Sequence, residues 1–196
     1  MEKLKLPTAV RSGSQGLPPA PVAPGRPLAN TTTDRLPRIL NRSTDVDIPR
    51  RAWSAWTEAG KPRQLRRALT ADERRALEMR RDELAPFVGP FDGREELRVI
   101  EAVGGMLGSF PSMRQTEAEA ADRIGAALRI LSEFPAWAIE KACGKIHLNG
   151  VWRDGKYDQQ WPPSDAEIAR VVREEFRLYG DSHRSAVALL EATVEE

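Results

Sequence analysis

The segment Gln160–Ile168, with the sequence QWPPSDAEI, constrains the fold of this chain more than any other. Its two consecutive prolines fix their backbone φ at about −65° and keep the residue before them out of the helical conformation. Ser164 and Glu167 then match the capping box that starts a helix, because each side chain can satisfy a backbone N–H of the other residue. Apolar residues follow at helical spacing, at Ile168, Val171, Val172, Phe176 and Tyr179. This pattern predicts an amphipathic helix over residues 165–179 that packs against other helices.

Capped helices account for the rest of the chain after residue 67. Thr70 with Glu73 and Thr116 with Glu119 match two further capping boxes. The apolar stripe of the first of these helices is narrow, which predicts a peripheral position. The predicted helices cover residues 71–84, 92–107, 117–133, 135–147 and 165–179, with a last one from residue 181 after a stop at Gly180. Because no run alternates as a strand does, the chain is predicted to be all-α, a compact bundle of about five to six short helices.

The N-terminal third of the chain has a different composition. Residues 1–49 contain eight of the 15 prolines, and such a segment has too few apolar side chains to offset the entropy lost on ordering. Residues 1–67 hold 13 Lys and Arg against 5 Asp and Glu, whereas residues 68–196 hold 17 against 24. We therefore predict a disordered, basic and proline-rich arm over residues 1–67 and a helical domain over residues 68–196.

A basic and aromatic segment lies at the end of this arm, where arginines alternate with tryptophans. Cations suit the phosphates of a nucleic acid, and flat rings suit its unstacked bases. The same residues would also serve to hold the arm against the acidic helical domain or against a partner protein. The candidate nucleic-acid-binding residues are Arg50, Arg51, Trp53, Trp56, Arg63, Arg66 and Arg67.

The connection between two of the predicted helices, residues 148–163, is longer than the usual link in a compact domain. Its sequence Arg153-Asp-Gly-Lys156 indicates a turn, at the tip of a small hairpin. Trp, Tyr and Arg, which are enriched in the hot spots of protein interfaces, are concentrated here. Trp161 has a second interpretation, in which it covers one end of the core beside Pro162. The candidate partner-binding residues are Trp152, Arg153, Lys156, Tyr157 and Trp161.

Reactive side chains are too few to indicate a catalytic or metal site. Cys143 and His147 lie one helical turn apart and share a face, but no second pair of ligands accompanies them. A buried thiol beside a histidine at the helix end explains the pair better. Gly104 and Gly105 lie inside a predicted helix and lack the surrounding residues of a phosphate-binding loop. The sequence therefore predicts no enzyme, no metal ion and no cofactor.

The chain shows no sequence feature of a membrane or secreted protein. No apolar run approaches the roughly 18 residues of a membrane-spanning helix, and residues 1–7 lead into no apolar stretch of a secretory signal. The single cysteine suits a reducing compartment. We expect a cytoplasmic protein without a membrane contact.

Three proline motifs follow one another between residues 97 and 175. They are Phe110-Pro111, Pro135 with Ile139 and Ala142, and Trp161-Pro-Pro-Ser164 with Glu167-Ile168. In this order the chain resembles the small helical proteins encoded in phage and prophage replication regions, typified by helicase loaders and loader inhibitors. The resemblance covers about 80 of the 196 residues, and Trp161 stands where a phenylalanine is usual.

The resemblance implies a non-catalytic accessory protein of DNA replication that binds a replicative helicase or its loader. In the loader-inhibitor type, a helical domain is joined to a disordered segment that contacts the helicase, and here the predicted disordered segment is N-terminal. The basic arm leaves a second interpretation open, a DNA-binding regulatory or packaging protein. The first interpretation predicts a protein partner, whereas the second predicts a nucleic acid bound through the arm.

Overall fold

The computed structural model of the protein describes residues 35–53, 64–112 and 116–194. Residues 1–34, half of the predicted arm, lie outside the described ranges. Within those ranges the fold is all-α, as predicted, apart from one short antiparallel hairpin. A π-helical segment, Arg42–Asp47, precedes the first α-helix. The other elements are α1 (Ile48–Ala52), α2 (Ala71–Val88), α3 (Glu96–Gly108), α4 (Glu117–Leu131), α5 (Ala136–Asn149), β1 (Val151–Arg153), β2 (Lys156–Asp158) and α6 (Asp165–Glu191).

Three capping boxes set the first residues of α2, α4 and α6, as predicted. In α6 the backbone N–H of Glu167 donates to the hydroxyl of Ser164 at 3.3 Å, and the backbone N–H of Ser164 donates to the Glu167 carboxylate at 2.8 Å. Thr70 and Thr116 make the same pair of bonds at the starts of α2 and α4. Each box satisfies donors that a helix start leaves without an intrahelical partner, so these starts are determined locally.

The main hydrophobic core lies where α5 contacts both α3 and α6, and α2 runs along α6. Trp137 of α5 is fully buried, and its indole N–H donates to the carbonyl of Phe87 at 2.8 Å. Its ring meets the ring of Tyr179 edge-on, with centroids 4.9 Å apart. One side chain thereby joins α2, α5 and α6. Ile168 and Val172 of α6 are fully buried in this core, as predicted.

Helix α6 runs without a break, so the predicted stop at Gly180 is wrong. Gly180 is buried and helical, and a Cβ there would lie 2.7 Å from the ring of Phe176. The glycine thus gives room to Phe176 and does not end the helix. Burial of Ala186 and Leu189 beyond it offsets the cost of about 1 kcal/mol that a glycine adds inside a helix. Although α6 is long, no helix in the described ranges is both long and apolar enough to cross a membrane.

A second hydrophobic cluster closes the end of the bundle that is formed by the start of α2 and the end of α6. Ile48 and Ala52 of α1 are buried in it together with Leu65. The backbone N–H of Leu65 donates to the carbonyl of Thr193 at 2.8 Å. The prediction of a disordered arm up to residue 67 is therefore wrong for these residues. They belong to the helical body because their apolar side chains complete its second cluster.

A buried ion pair holds residues 35–53 against α2 and α6. Arg80 of α2 is buried and donates to both carboxylate oxygens of Asp45, at 3.0 and 2.7 Å. It also donates to two backbone carbonyls of the same segment. The hydroxyl of Ser182 on α6 donates to Asp45, and the hydroxyl of Tyr179 donates to a further carbonyl of the segment at 3.2 Å. Helix α2 is therefore not peripheral, contrary to the prediction from its narrow apolar stripe.

Candidate functional site

The connection between α5 and α6 forms a hairpin, as its sequence predicts. Strand β1 pairs with β2 so that Trp152 lies opposite Tyr157. Asp154 and Gly155 in the turn have φ of 47° and 79°, the left-handed conformation that suits an Asp-Gly turn. Gly150 precedes β1 with φ of 77°, and a Cβ there would overlap a carbonyl of β2. Only glycine fits this position, and its backbone conformation sets the direction in which the hairpin leaves α5.

The two faces of the hairpin differ in exposure. Val151 is buried in the main core, and alternate residues of a strand point to opposite faces. Trp152 and Tyr157 lie on the other face, where they are 51% and 55% exposed. Their rings meet edge-on with centroids 5.0 Å apart, which is a favourable aromatic geometry. The hairpin thus displays a preformed aromatic pair on the surface.

Arg153 anchors the hairpin to the start of α6. Its guanidinium donates to both carboxylate oxygens of Glu167, at 2.6 and 2.7 Å, and to Asp158 at 2.9 Å. It also donates to the carbonyl of Pro162 at 3.0 Å. The hydrogen bonds from Arg153 and Ser164 lower the pKa of Glu167 to about 2. The guanidinium N–H groups of Arg153 thus donate to acceptors within the chain, so Arg153 positions the hairpin. The sequence had predicted that Arg153 contacts the partner.

The remaining predicted partner-binding residues lie on the surface. Trp161 is 58% exposed, so the interpretation in which it covers the core is wrong, and Pro163 is the buried residue of its segment. The sequence prediction omits Leu148, which is exposed at the end of α5. Leu148 lies off the apolar stripe of α5, and this position in the sequence pattern predicts an exposed apolar side chain. The name hairpin surface is used below for Trp152, Lys156, Tyr157 and Trp161.

Acid is expected to weaken the attachment of the hairpin to α6. The pKa of Glu167 lies at about 2 in the folded chain, below its ordinary value of 4.5. The stability that this carboxylate contributes is therefore complete above about pH 4.5 and is lost as the pH falls towards 2. We expect Glu167→Gln to lower the free energy of unfolding at pH 7 and to reduce its decline below pH 4.5. Urea denaturation across this pH range measures both effects.

Glu174→Gln is the matched control for this prediction, because Glu174 pairs with Arg170 on the exposed side of the same helix. The free energy of unfolding of this variant should decline in acid as that of the wild-type protein does. If the free energy of unfolding of Glu167→Gln declined by the same amount, the contact between Arg153 and Glu167 would not contribute to the acid dependence of stability.

The predicted nucleic-acid-binding residues differ in what surrounds them. Exposed on the surface are Arg50, Arg51 and Arg66. Arg67 is also exposed, but it donates to both carboxylate oxygens of Glu73 at 2.8 Å. Trp53 is partly buried and packs against the second cluster. Outside the described residues lie Trp56 and Arg63.

Reactive groups are not gathered into one site in the part of the chain that the structure describes. Cys143 is buried, and its burial raises the pKa of the thiol to about 12, so it stays protonated at neutral pH. His147 is exposed at the end of α5. Among the described residues, no three or more His, Cys, Asp and Glu side chains form a group that could hold a metal ion. Cys143 therefore acts as a small buried residue of the main core.

The two groups of candidate binding residues lie at opposite ends of α6. The hairpin is attached to its first turn through Glu167. The segment that carries Arg66 lies next to its last turn, since Leu65 bonds to Thr193. Comparison with protein-family models, curated proteins and solved structures gives no match.

Proposed function

We propose that this chain is a non-catalytic accessory protein of phage or prophage DNA replication that binds a replicative helicase or its loader. The observation that carries this proposal is the exposed aromatic pair of Trp152 and Tyr157 on an anchored hairpin. The order of motifs from Phe110-Pro111 to Glu167-Ile168 supports the class of partner, through its resemblance to helicase loaders and loader inhibitors.

The exposed aromatic pair suits a protein partner. Large aromatic rings bury about 150–250 Å² each and lose little conformational entropy on binding. Trp and Tyr are also enriched among the few residues that dominate the binding energy of an interface. Because Trp152 and Tyr157 already contact each other in the free chain, a partner meets a surface that needs little further ordering.

The contacts beneath the pair explain how so small a hairpin keeps one shape. Its strands have three residues each, and an isolated two-stranded hairpin is only marginally stable in water. Here the inner face places Val151 in the main core, and Arg153 makes a bidentate contact with Glu167. The aromatic pair is therefore presented in a fixed position relative to α6.

The proposal is tested by replacing both rings. The Trp152→Ala/Tyr157→Ala double variant should bind the helicase or the loader more weakly by about 2 kcal/mol or more, about thirtyfold. Titration calorimetry of the full chain against the purified helicase, and separately against the purified loader, measures this loss. The melting temperature should change little, because the two side chains lie on the exposed face of the hairpin.

Met79→Ala is the matched control, because Met79 is an apolar side chain on α2 that is 68% exposed. This variant should bind as the wild-type protein does. If the double variant folds normally and also binds as the wild-type protein does, the hairpin surface is not the contact. If neither the helicase nor the loader binds the wild-type chain, the proposed class of partner is wrong.

A further inference from the structure

The fold brings three exposed arginines from two segments to one end of the helical body. Arg50 and Arg51 lie in α1, and Arg66 follows the residues 54–63 that the structure does not describe. The backbone N–H of Arg66 donates to the carbonyl of Ala52 at 2.9 Å, which joins the two segments. The name basic end is used below for Arg50, Arg51 and Arg66.

The two described segments that carry the basic end contain basic residues and no acidic ones. Residues 48–53 and 64–70 contain four arginines and no Asp or Glu. Arg67 is the fourth, and it pairs with Glu73 of α2. Within the described ranges, no arginine of the basic end forms an ion pair. Three arginines of α2 and α6, Arg81, Arg170 and Arg184, each pair with a neighbouring acid.

Phosphate groups fit these arginines better than bases do. A single strand is bound largely by stacking its bases on exposed rings. Trp53, the aromatic residue that follows α1, is instead partly buried against the second cluster. Guanidinium groups bind phosphate oxygens with paired hydrogen bonds, and such contacts carry no sequence information. Exposed arginines held on a folded surface therefore suit the backbone of a duplex.

We propose that the basic end binds the phosphate backbone of duplex DNA without reading its sequence. This contact is separate from the hairpin surface and does not depend on which protein binds there. Its binding energy comes largely from the release of counterions that duplex phosphates hold, so the affinity falls as the salt concentration rises. Arg50, Arg51 and Arg66 each contribute to this dependence.

Fluorescence anisotropy with labelled oligonucleotides across a series of salt concentrations tests the proposal on the full chain. The wild-type protein should bind duplexes of unrelated sequence equally well, and single strands no better. The Arg50→Ala/Arg51→Ala/Arg66→Ala variant should bind duplex on the order of tenfold more weakly at about 0.1 M salt. The slope of log affinity against log salt should become shallower by about 0.9 for each phosphate that the variant no longer neutralises.

The Arg81→Ala/Arg170→Ala/Arg184→Ala variant is the matched control, because it removes the same charge from arginines that already pair with acids. It should keep most of the affinity and the slope of the wild-type protein. Equal losses in the two variants would assign the binding to total charge and overturn the proposal. Absence of duplex binding, or a clear preference for single strands, would overturn it too. Melting temperatures of both variants check that each one folds.

Discussion

Ile168→Asp is expected to lower the free energy of unfolding by about 4 kcal/mol or more, enough to unfold a protein of ordinary stability. Ile168 is fully buried in the main core, at the end of the first turn of α6. An aspartate at this position would lose its hydration inside an apolar cluster and would also remove apolar area from the core. Urea denaturation followed by circular dichroism measures the loss.

Ala166→Asp provides the comparison for this variant, because Ala166 is exposed in the first turn of the same helix. A carboxylate there lies near the helix N-terminus, where the helix dipole favours negative charge. Its free energy of unfolding should stay within about 0.5 kcal/mol of that of the wild-type protein. Equal melting temperatures for Ile168→Asp and the wild-type protein would exclude Ile168 from the core.

Asp45→Ala is expected to cost about 3–5 kcal/mol, because it leaves the buried Arg80 without its main acidic partner. The change also removes the acceptor of the Ser182 hydroxyl. Residues 35–53 should then separate from α2 and α6 more readily than the rest of the fold. Chemical denaturation measures the total loss, and faster hydrogen exchange of the α1 amides shows where it occurs.

Two further variants show whether the loss comes from the buried charge. Glu83 also pairs with Arg80 but is 47% exposed, so Glu83→Ala should cost about 1 kcal/mol or less. The Arg80→Met/Asp45→Leu double variant removes both charges and should be more stable than Asp45→Ala alone. If Asp45→Ala cost no more than Glu83→Ala, the buried ion pair would not be what holds the segment.

Features set by neighbouring residues could be predicted from the sequence. The capping box of Ser164 and Glu167 depends on residues three apart, and the turn at Asp154-Gly155 depends on two adjacent residues. The sequence also indicated Trp152 and Tyr157, on either side of this turn, as candidate contact residues. The role of Arg153 was missed because its partner, Glu167, serves the capping box and the arginine at the same time.

Features set by distant residues could not be predicted. Asp45 and Arg80 are 35 positions apart, and in the sequence each is one more charged residue in a charged chain. Their pairing and the burial of Ile48 and Ala52 together hold residues 35–53 to the body, where Trp53 packs against the second cluster. Gly180 is a similar case, because a glycine commonly ends a helix. Here its packing against Phe176 and the second cluster beyond it continue the helix.

The length of α6 determines how far apart the two proposed contacts lie. Its 27 residues rise about 40 Å, from the turn that holds Arg153 to the end beside the segment of Leu65. Charges in physiological salt are screened over about 8 Å, so a ligand at one end leaves the electrostatic potential at the other unchanged. Helix α6 therefore acts as a spacer between the hairpin surface and the basic end, and the two proposed contacts should not compete through their charges.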